Sequence, residues 1–222
     1  MRRPTPGIAA QDPYNAQMSS AIPPTCSKHD PATPAFWDAR FDAAYTPWDH
    51  GAVPQCLINY IAQSNTPKKV LIPGCGSAYE VQFFAEQGWD VTAIDFSPAA
   101  VARAKQLLGT MGNHVREADF FGEVIHQERF DLIYERAFLC ALPRRLWDAW
   151  AARVAQLIAP DGFLVGFFFF DTGERGPPFG IGREQLIQLL SPHFTLIEES
   201  DPADSIAIFA GKEKWQVWQR LH

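Results

Sequence analysis

The stretch Val70-Leu71-Ile72-Pro73-Gly74-Cys75-Gly76-Ser77-Ala78 carries a short apolar run straight into a turn with two glycines. An apolar run without polar alternation reads as a strand buried on both faces, as in a parallel sheet. Gly74 and Gly76 let the backbone bend sharply and approach a ligand with no side chain intervening. The next residues, Tyr79 to Gln87, are amphipathic through Val81, Phe84 and Ala85 and stop at Gly88, a residue suited to a left-handed cap. A second apolar run, Val91 to Asp95, completes a strand–turn–helix–strand unit.

The same alternation continues outward. Ser97-Pro98 supplies an N-cap and a proline at the first helical position, opening a helix to Leu108. Strands are expected at Val115 to Ala118, Phe130 to Tyr134 and Phe163 to Phe170, with closing strands at Phe194 to Glu198 and Ser205 to Phe209. Helices are expected at Pro34 to Ala44, Pro54 to Gln63, Pro143 to Ile158 and Arg183 to Leu190. The spacing of Leu146, Trp150, Val154, Leu157 and Ile158 makes the third of these the clearest. Strand and helix in alternation predict an α/β fold with a largely parallel sheet.

Composition narrows the function classes. The 222 residues, 47% hydrophobic, suffice for one sizeable core, so residues 35–222 are expected to form a single domain. Residues 1–34 hold seven of the 18 prolines and no apolar run, and read as a disordered leader without a secretory signal. With 19 basic against 25 acidic residues, no basic excess meets a nucleic-acid backbone. The longest apolar run, Phe163 to Phe170, is too short to span a membrane. Cys26, Cys56, Cys75 and Cys140 are scattered and read as reduced thiols of a cytoplasmic protein. The histidines are equally dispersed, so no metal is implied. A small-molecule partner and a monomer are expected.

The glycine turn and Asp95 bear on a cofactor. A carboxylate at the end of the second strand, about 20 residues past the turn, can accept both hydroxyls of a ribose. A dinucleotide site wants a third glycine so that a helix N-terminus approaches the pyrophosphate. That position holds Tyr79, which favours S-adenosylmethionine, a donor without a pyrophosphate. Asp119-Phe120 follows the third strand, where an acid and an aromatic can bond and cover adenine; the alternative is an ordinary strand end with core phenylalanines.

Taken in order, the residues resemble the thiopurine S-methyltransferase family, which includes the halide and thiol methyltransferases. The likeness rests on Phe36-Trp37, Thr46-Pro47-Trp48-Asp49-His50-Gly51, Ile72-Pro73-Gly74-Cys75-Gly76, the run from Phe130 to Pro143, Gly176-Pro177-Pro178-Phe179, and Gly211-Lys212-Glu213-Lys214-Trp215. It implies a Rossmann-like doubly wound sheet of about seven strands, mostly parallel with an antiparallel C-terminal strand and helices on both faces. It also implies that Trp37 and Trp48 fold over the cofactor, with Gly74 and Gly76 at the methionine part and Asp95 at the ribose. Asp119 and Phe120 would hold adenine, with Arg136 near cofactor and substrate. For the two tryptophans the alternative is core packing. For Arg136 it is a salt bridge to a neighbouring acid such as Glu135 or Asp95.

The expected reaction is methyl transfer to a small thiol-type or other soft nucleophile: a thiol, a thiopurine, a halide, or a selenium or tellurium species. Phe41, Arg136, Pro178 and Phe179 are the candidates for the acceptor side, and no catalytic side chain is assigned. Arg136 matches the thiopurine branch of the family. The Thr46-Pro47-Trp48-Asp49 stretch and Asp95 match the halide/thiol branch, where Phe41 replaces a tryptophan. Two other readings are a nicotinamide-dependent oxidoreductase and a cofactor-binding protein of the same fold without turnover.

Overall fold

The computed structural model describes residues 30–64, 68–123, 125 and 128–222. Seven strands form one sheet: β1 (Lys69–Pro73), β2 (Asp90–Asp95), β3 (Val115–Glu117), β4 (Phe130–Arg136), β5 (Ile158–Phe169), β6 (Phe194–Ser200) and β7 (Glu213–Arg220). Their order is β3-β2-β1-β4-β5-β7-β6. The pairs among the first five strands are parallel, and β7 runs antiparallel to both β5 and β6. Among the described residues, six α-helices accompany the sheet: α1 (Pro34–Asp42), α2 (Gln55–Ala62), α3 (Tyr79–Glu86), α4 (Pro98–Leu108), α5 (Trp147–Leu157) and α6 (Arg183–Leu190).

The apolar runs of the central strands feed two cores because successive side chains point to opposite faces. Leu71, Ile133 and Leu164 turn to a core shared with Trp150, Val154 and Leu186. Val70, Ile72, Leu132 and Val165 turn to the other, with Leu57, Phe84, Val101 and Trp215. Helices therefore cover both faces, as a doubly wound sheet requires.

Three expectations need correction. Ser205 to Phe209 is not a strand. It leads into a turn, with Phe209 buried against Phe169 at 5.5 Å between ring centroids. Gly211, at φ +73, reverses the chain, and the seventh strand is Glu213–Arg220, in which Trp215, Gln216, Val217 and Trp218 are all buried. Gln216 escapes alternation because its amide donates to Glu199 at 2.6 Å. The helix expected from Pro143 begins as a 3₁₀ turn, Arg144–Leu146, and becomes α-helical at Trp147. Ile158 belongs to β5, opposite Phe130, and Asp161 (φ +63) absorbs the register shift that follows. Of the leader expected over 1–34, residues 1–29 lie outside the described residues.

Helix α1 is tied to the sheet by one carboxylate. Asp38 Oδ1 accepts from Ser97 Oγ (2.5 Å) and from the Ala99 N–H (3.1 Å) at the start of α4. Ser97 Oγ in turn caps α4 through the Ala100 N–H, the role its place before Pro98 predicts. These bonds bring the aromatic face of α1 over the carboxyl end of β2.

Candidate functional site

A cavity of about 510 Å³ opens at the carboxyl ends of β1, β2 and β4. This is where the strand order reverses between β1 and β4, the place where open α/β sheets leave a crevice for ligands. Its floor is the glycine turn. The Cys75 N–H donates to the Ile94 carbonyl (2.9 Å), and Gly74 (φ +56) and Gly76 (φ +51) take left-handed conformations that suit glycine. A Cβ on Gly74 would overlap the Phe138 ring. Ala78 (φ 57) and Ala137 (φ 56) take the same conformation without being glycine, so the backbone is strained on both sides of the cavity.

Asp95 ends β2 at the cavity wall, 7% exposed. Its Oδ2 accepts from the Gly76 N–H (3.0 Å) and its Oδ1 from the Ser97 N–H (2.9 Å). Burial pushes its carboxyl up to about 6, against the pull of those donors. A carboxylate has about four acceptor positions, so capacity remains for a ligand's hydroxyls.

The N-terminal segment forms the roof. Trp37 stands edge-on to Trp48 at 5.4 Å, Phe41 edge-on to Trp48 at 6.0 Å, and all three line the cavity. The Trp37 indole N–H donates to the Pro31 carbonyl (2.8 Å). Ser77 Oγ donates to Asp49 Oδ2 (2.6 Å), linking the roof loop to the glycine turn. His50 stands between the Ala52 and Asp204 carbonyls, at 3.0 and 2.9 Å.

Phe120 is buried, edge-on to Phe138 at 5.2 Å, and borders the cavity together with Asp119. Asp119 is exposed, and its Oδ1 accepts from the Phe121 N–H (2.9 Å). Phe120 is thus a core residue that also borders the cavity.

Arg136 lies on the opposite wall, its guanidinium over the Phe167 ring at 4.3 Å. Its Nη1 donates to Glu213 Oε2 at 2.9 Å, with side chains only 10% and 3% exposed. The expected alternative, a salt bridge to a neighbouring acid, is therefore present, with Glu213 as the partner in place of Glu135 or Asp95. Glu135 instead accepts from the Phe138 (2.8 Å) and Leu139 (3.0 Å) N–H groups, and burial pushes it up to about 7. Pro178 lines the cavity, but Phe179 does not. The Phe179 N–H is drawn to the Cys140 carbonyl (2.6 Å), and its ring packs on the core beneath Gly176.

Sequence reasoning missed three residues here: Asp49, Glu80 and Glu213. Glu80 sits buried in the first turn of α3, lines the cavity and accepts weakly from Tyr134 Oη at 3.4 Å. Burial raises the carboxyls of both Glu80 and Asp49. An acidic residue in a helix's first turn is too common to signal a site. Together the walls are aromatic and carboxylate-bearing; of the two arginines that line them, Arg136 has Glu213 as its counter-ion, and Arg40 lies over the Phe36 ring and donates to the Phe36 carbonyl (2.8 Å). Such a cavity favours a cationic ligand and gives a pyrophosphate no cradle.

Comparison with known proteins agrees. A sequence profile of the Thiopurine S-methyltransferase family matches residues 32–221. Thiocyanate methyltransferase 1 of Arabidopsis thaliana is 28% identical over 196 residues, spanning 84% of this chain and 85% of that protein. A Thiopurine S-methyltransferase of Psychrobacter cryohalolentis is 26% identical over 191 residues, spanning 74% and 87%. Among solved structures, the 1,6-didemethyltoxoflavin-N1-methyltransferase of Burkholderia thailandensis shares the fold with a TM-score of 0.69, 20% identity, and 86% and 88% coverage.

Fold, site and relatives define the class: this is an S-adenosylmethionine-dependent methyltransferase. Within that class, the chain belongs to the thiopurine S-methyltransferase family. The nicotinamide reading falls away.

Proposed function

We propose that the protein transfers a methyl group to a small thiol-type or other soft nucleophile: a thiol, a thiopurine, a halide, or a selenium or tellurium species. Bound in the cavity, S-adenosylmethionine supplies an electrophilic methyl carbon on a sulfonium centre. The residues present fit that donor. Asp95 offers its remaining acceptor capacity to the ribose hydroxyls, and Gly74 and Gly76 keep the turn open beside the methionine part. Asp119 and Phe120 hold the adenine end. Trp37 and Trp48 present indole rings to a cation, an arrangement worth about 0.5–2 kcal/mol depending on desolvation.

The chain's own contribution is position and the exclusion of water. Alignment of two reactants can remove about 7–11 kcal/mol from a barrier. The acceptor enters beside Arg136, Phe41 and Pro178, under the aromatic roof. A soft nucleophile needs little proton transfer to react, and no catalytic base is assigned.

The observation that carries this reading is the buried Asp95 carboxylate, fixed by Gly76 and Ser97 at the lip of an aromatic cavity. Its test is calorimetry with S-adenosylmethionine. Asp95→Ala is expected to weaken binding at least about 30-fold, the cost of losing charge-assisted bonds to two hydroxyls. Unchanged affinity would remove the ribose assignment.

A further inference from the structure

The Arg136–Glu213 pair decides what kind of acceptor the cavity takes. Arg136 is the buried guanidinium on the acceptor side, and a lone cation there would make a ready site for a small anion. It is not alone. Glu213 approaches from β7, in hydrogen-bond contact at 2.9 Å and more deeply buried than Arg136 itself. Glu80 and Asp49 line the same cavity. Among the described residues, neither Arg136 Nε nor Glu213 Oε1 has another hydrogen-bond partner, so each ion's main compensation is the other. The guanidinium is further held between the rings of Phe167 and Phe209 and cannot swing away from Glu213 without leaving them.

We infer that Glu213 is the specificity-determining residue of the acceptor pocket: by neutralising Arg136 it fits the site to an uncharged sulfur acceptor and disfavours small anions such as halide or thiocyanate. This rests on the methyl-transfer reading and narrows it. An incoming anion must leave water for a wall whose positive charge is already matched, so it meets little net attraction to offset its desolvation. An uncharged sulfur compound pays far less on entry, and the aromatic walls suit it. An uncharged acceptor also balances chemically. Its sulfur lone pair forms the new S–C bond as the bond from that carbon to the donor sulfur breaks onto the donor. The product then sheds one proton, from the N–H of a thioamide, to water.

The test is direct binding, by calorimetry on the full chain saturated with S-adenosylhomocysteine, using thiocyanate and a neutral thioamide as probes. Steady-state kinetics on the same two probes accompany it. In the wild type the thioamide should bind on the order of tenfold tighter than thiocyanate. Glu213→Gln keeps an acceptor for Arg136 and removes the charge, and should tighten thiocyanate on the order of tenfold while moving the thioamide about twofold or less. The double variant Arg136→Leu/Glu213→Leu removes both ions, a change that buried pairs tolerate, and should keep the wild-type preference. It serves if the single variant does not fold. Thiocyanate binding as tightly as the thioamide in the wild type overturns the inference, as does an unmoved ratio in Glu213→Gln. So does a loss of thiocyanate binding in the double variant, which would mean that Arg136 attracts anions despite Glu213. Failure to bind S-adenosylhomocysteine at all would instead mark failure of the methyl-transfer reading, and the inference falls with it.

Discussion

Lowering the pH should weaken cofactor binding through Asp95, and the structure fixes by how much. The carboxyl is 7% exposed, and burial pushes it up to about 6, even though Gly76 and Ser97 donate to it. Ribose hydroxyls donate to the ionised form, so bound cofactor lowers this value and proton and cofactor compete. A group titrating at about 6 is roughly ten-elevenths protonated at pH 5 and about one per cent protonated at pH 8. The dissociation constant should therefore rise about tenfold between pH 8 and pH 5, close to 1.4 kcal/mol, with most of the change below pH 6.5. Calorimetry with S-adenosylhomocysteine across that range measures it. Asp95→Asn, which cannot ionise, should bind weakly and show a flat profile through the same window. A flat wild-type profile would refute the argument, as would a slope that persists in Asp95→Asn.

The Glu135 carboxyl, raised by burial from 4.5 to about 7, has a folded-state value above its unfolded one. Its contribution to stability is present below pH 4.5 and lost as pH rises through about 7. Glu135→Gln keeps the acceptor for the Phe138 and Leu139 N–H groups and should be more stable than wild type at pH 8, by up to about 3 kcal/mol in urea denaturation. No gain at pH 8 would contradict the sign. Gly74→Ala would drive a Cβ into the Phe138 ring from a left-handed backbone, and should cost about 2–4 kcal/mol, read from the same denaturation curves. Asp38→Ala removes the acceptor shared by Ser97 and Ala99 and should lower stability by about 1–2 kcal/mol. It should also loosen the Trp37–Trp48 contact, seen as a shift in tryptophan emission.

The sequence was most readable where local chemistry and burial agree. The run 70–78 is continuous in apolar character and punctuated by glycine, so strand, turn and cavity floor could all be inferred from it. Asp95 followed from its distance to that turn, and the cap at Ser97-Pro98 from residue type alone. β7 was harder. Glu213-Lys214-Trp215-Gln216-Val217-Trp218 mixes charges into a strand buried on both faces, which works only because Arg136 and Glu199 lie ready to pair with Glu213 and Gln216. Those partners are supplied by β4, 77 residues away in sequence, and by β6. Phe179 shows the opposite error. A motif placed it on the cavity wall, but the backbone bond from its N–H to Cys140 turns the ring toward the core. The buried acids Glu80 and Glu135 left no local signal, since nothing in their neighbourhood of the sequence distinguishes them from surface carboxylates.

The proposed reaction is methyl transfer from S-adenosylmethionine to sulfur. The most direct measurement follows a labelled methyl group from the donor into a panel of thiols, thioamides, thiopurines, halides and selenium or tellurium species, with S-adenosylhomocysteine quantified in parallel by mass spectrometry. Label is expected on the sulfur of at least one acceptor, in one-to-one proportion with S-adenosylhomocysteine, and should be lost in Asp95→Ala at sub-saturating donor. Tight donor binding with no label in any acceptor, or label on nitrogen or oxygen alone, would contradict it.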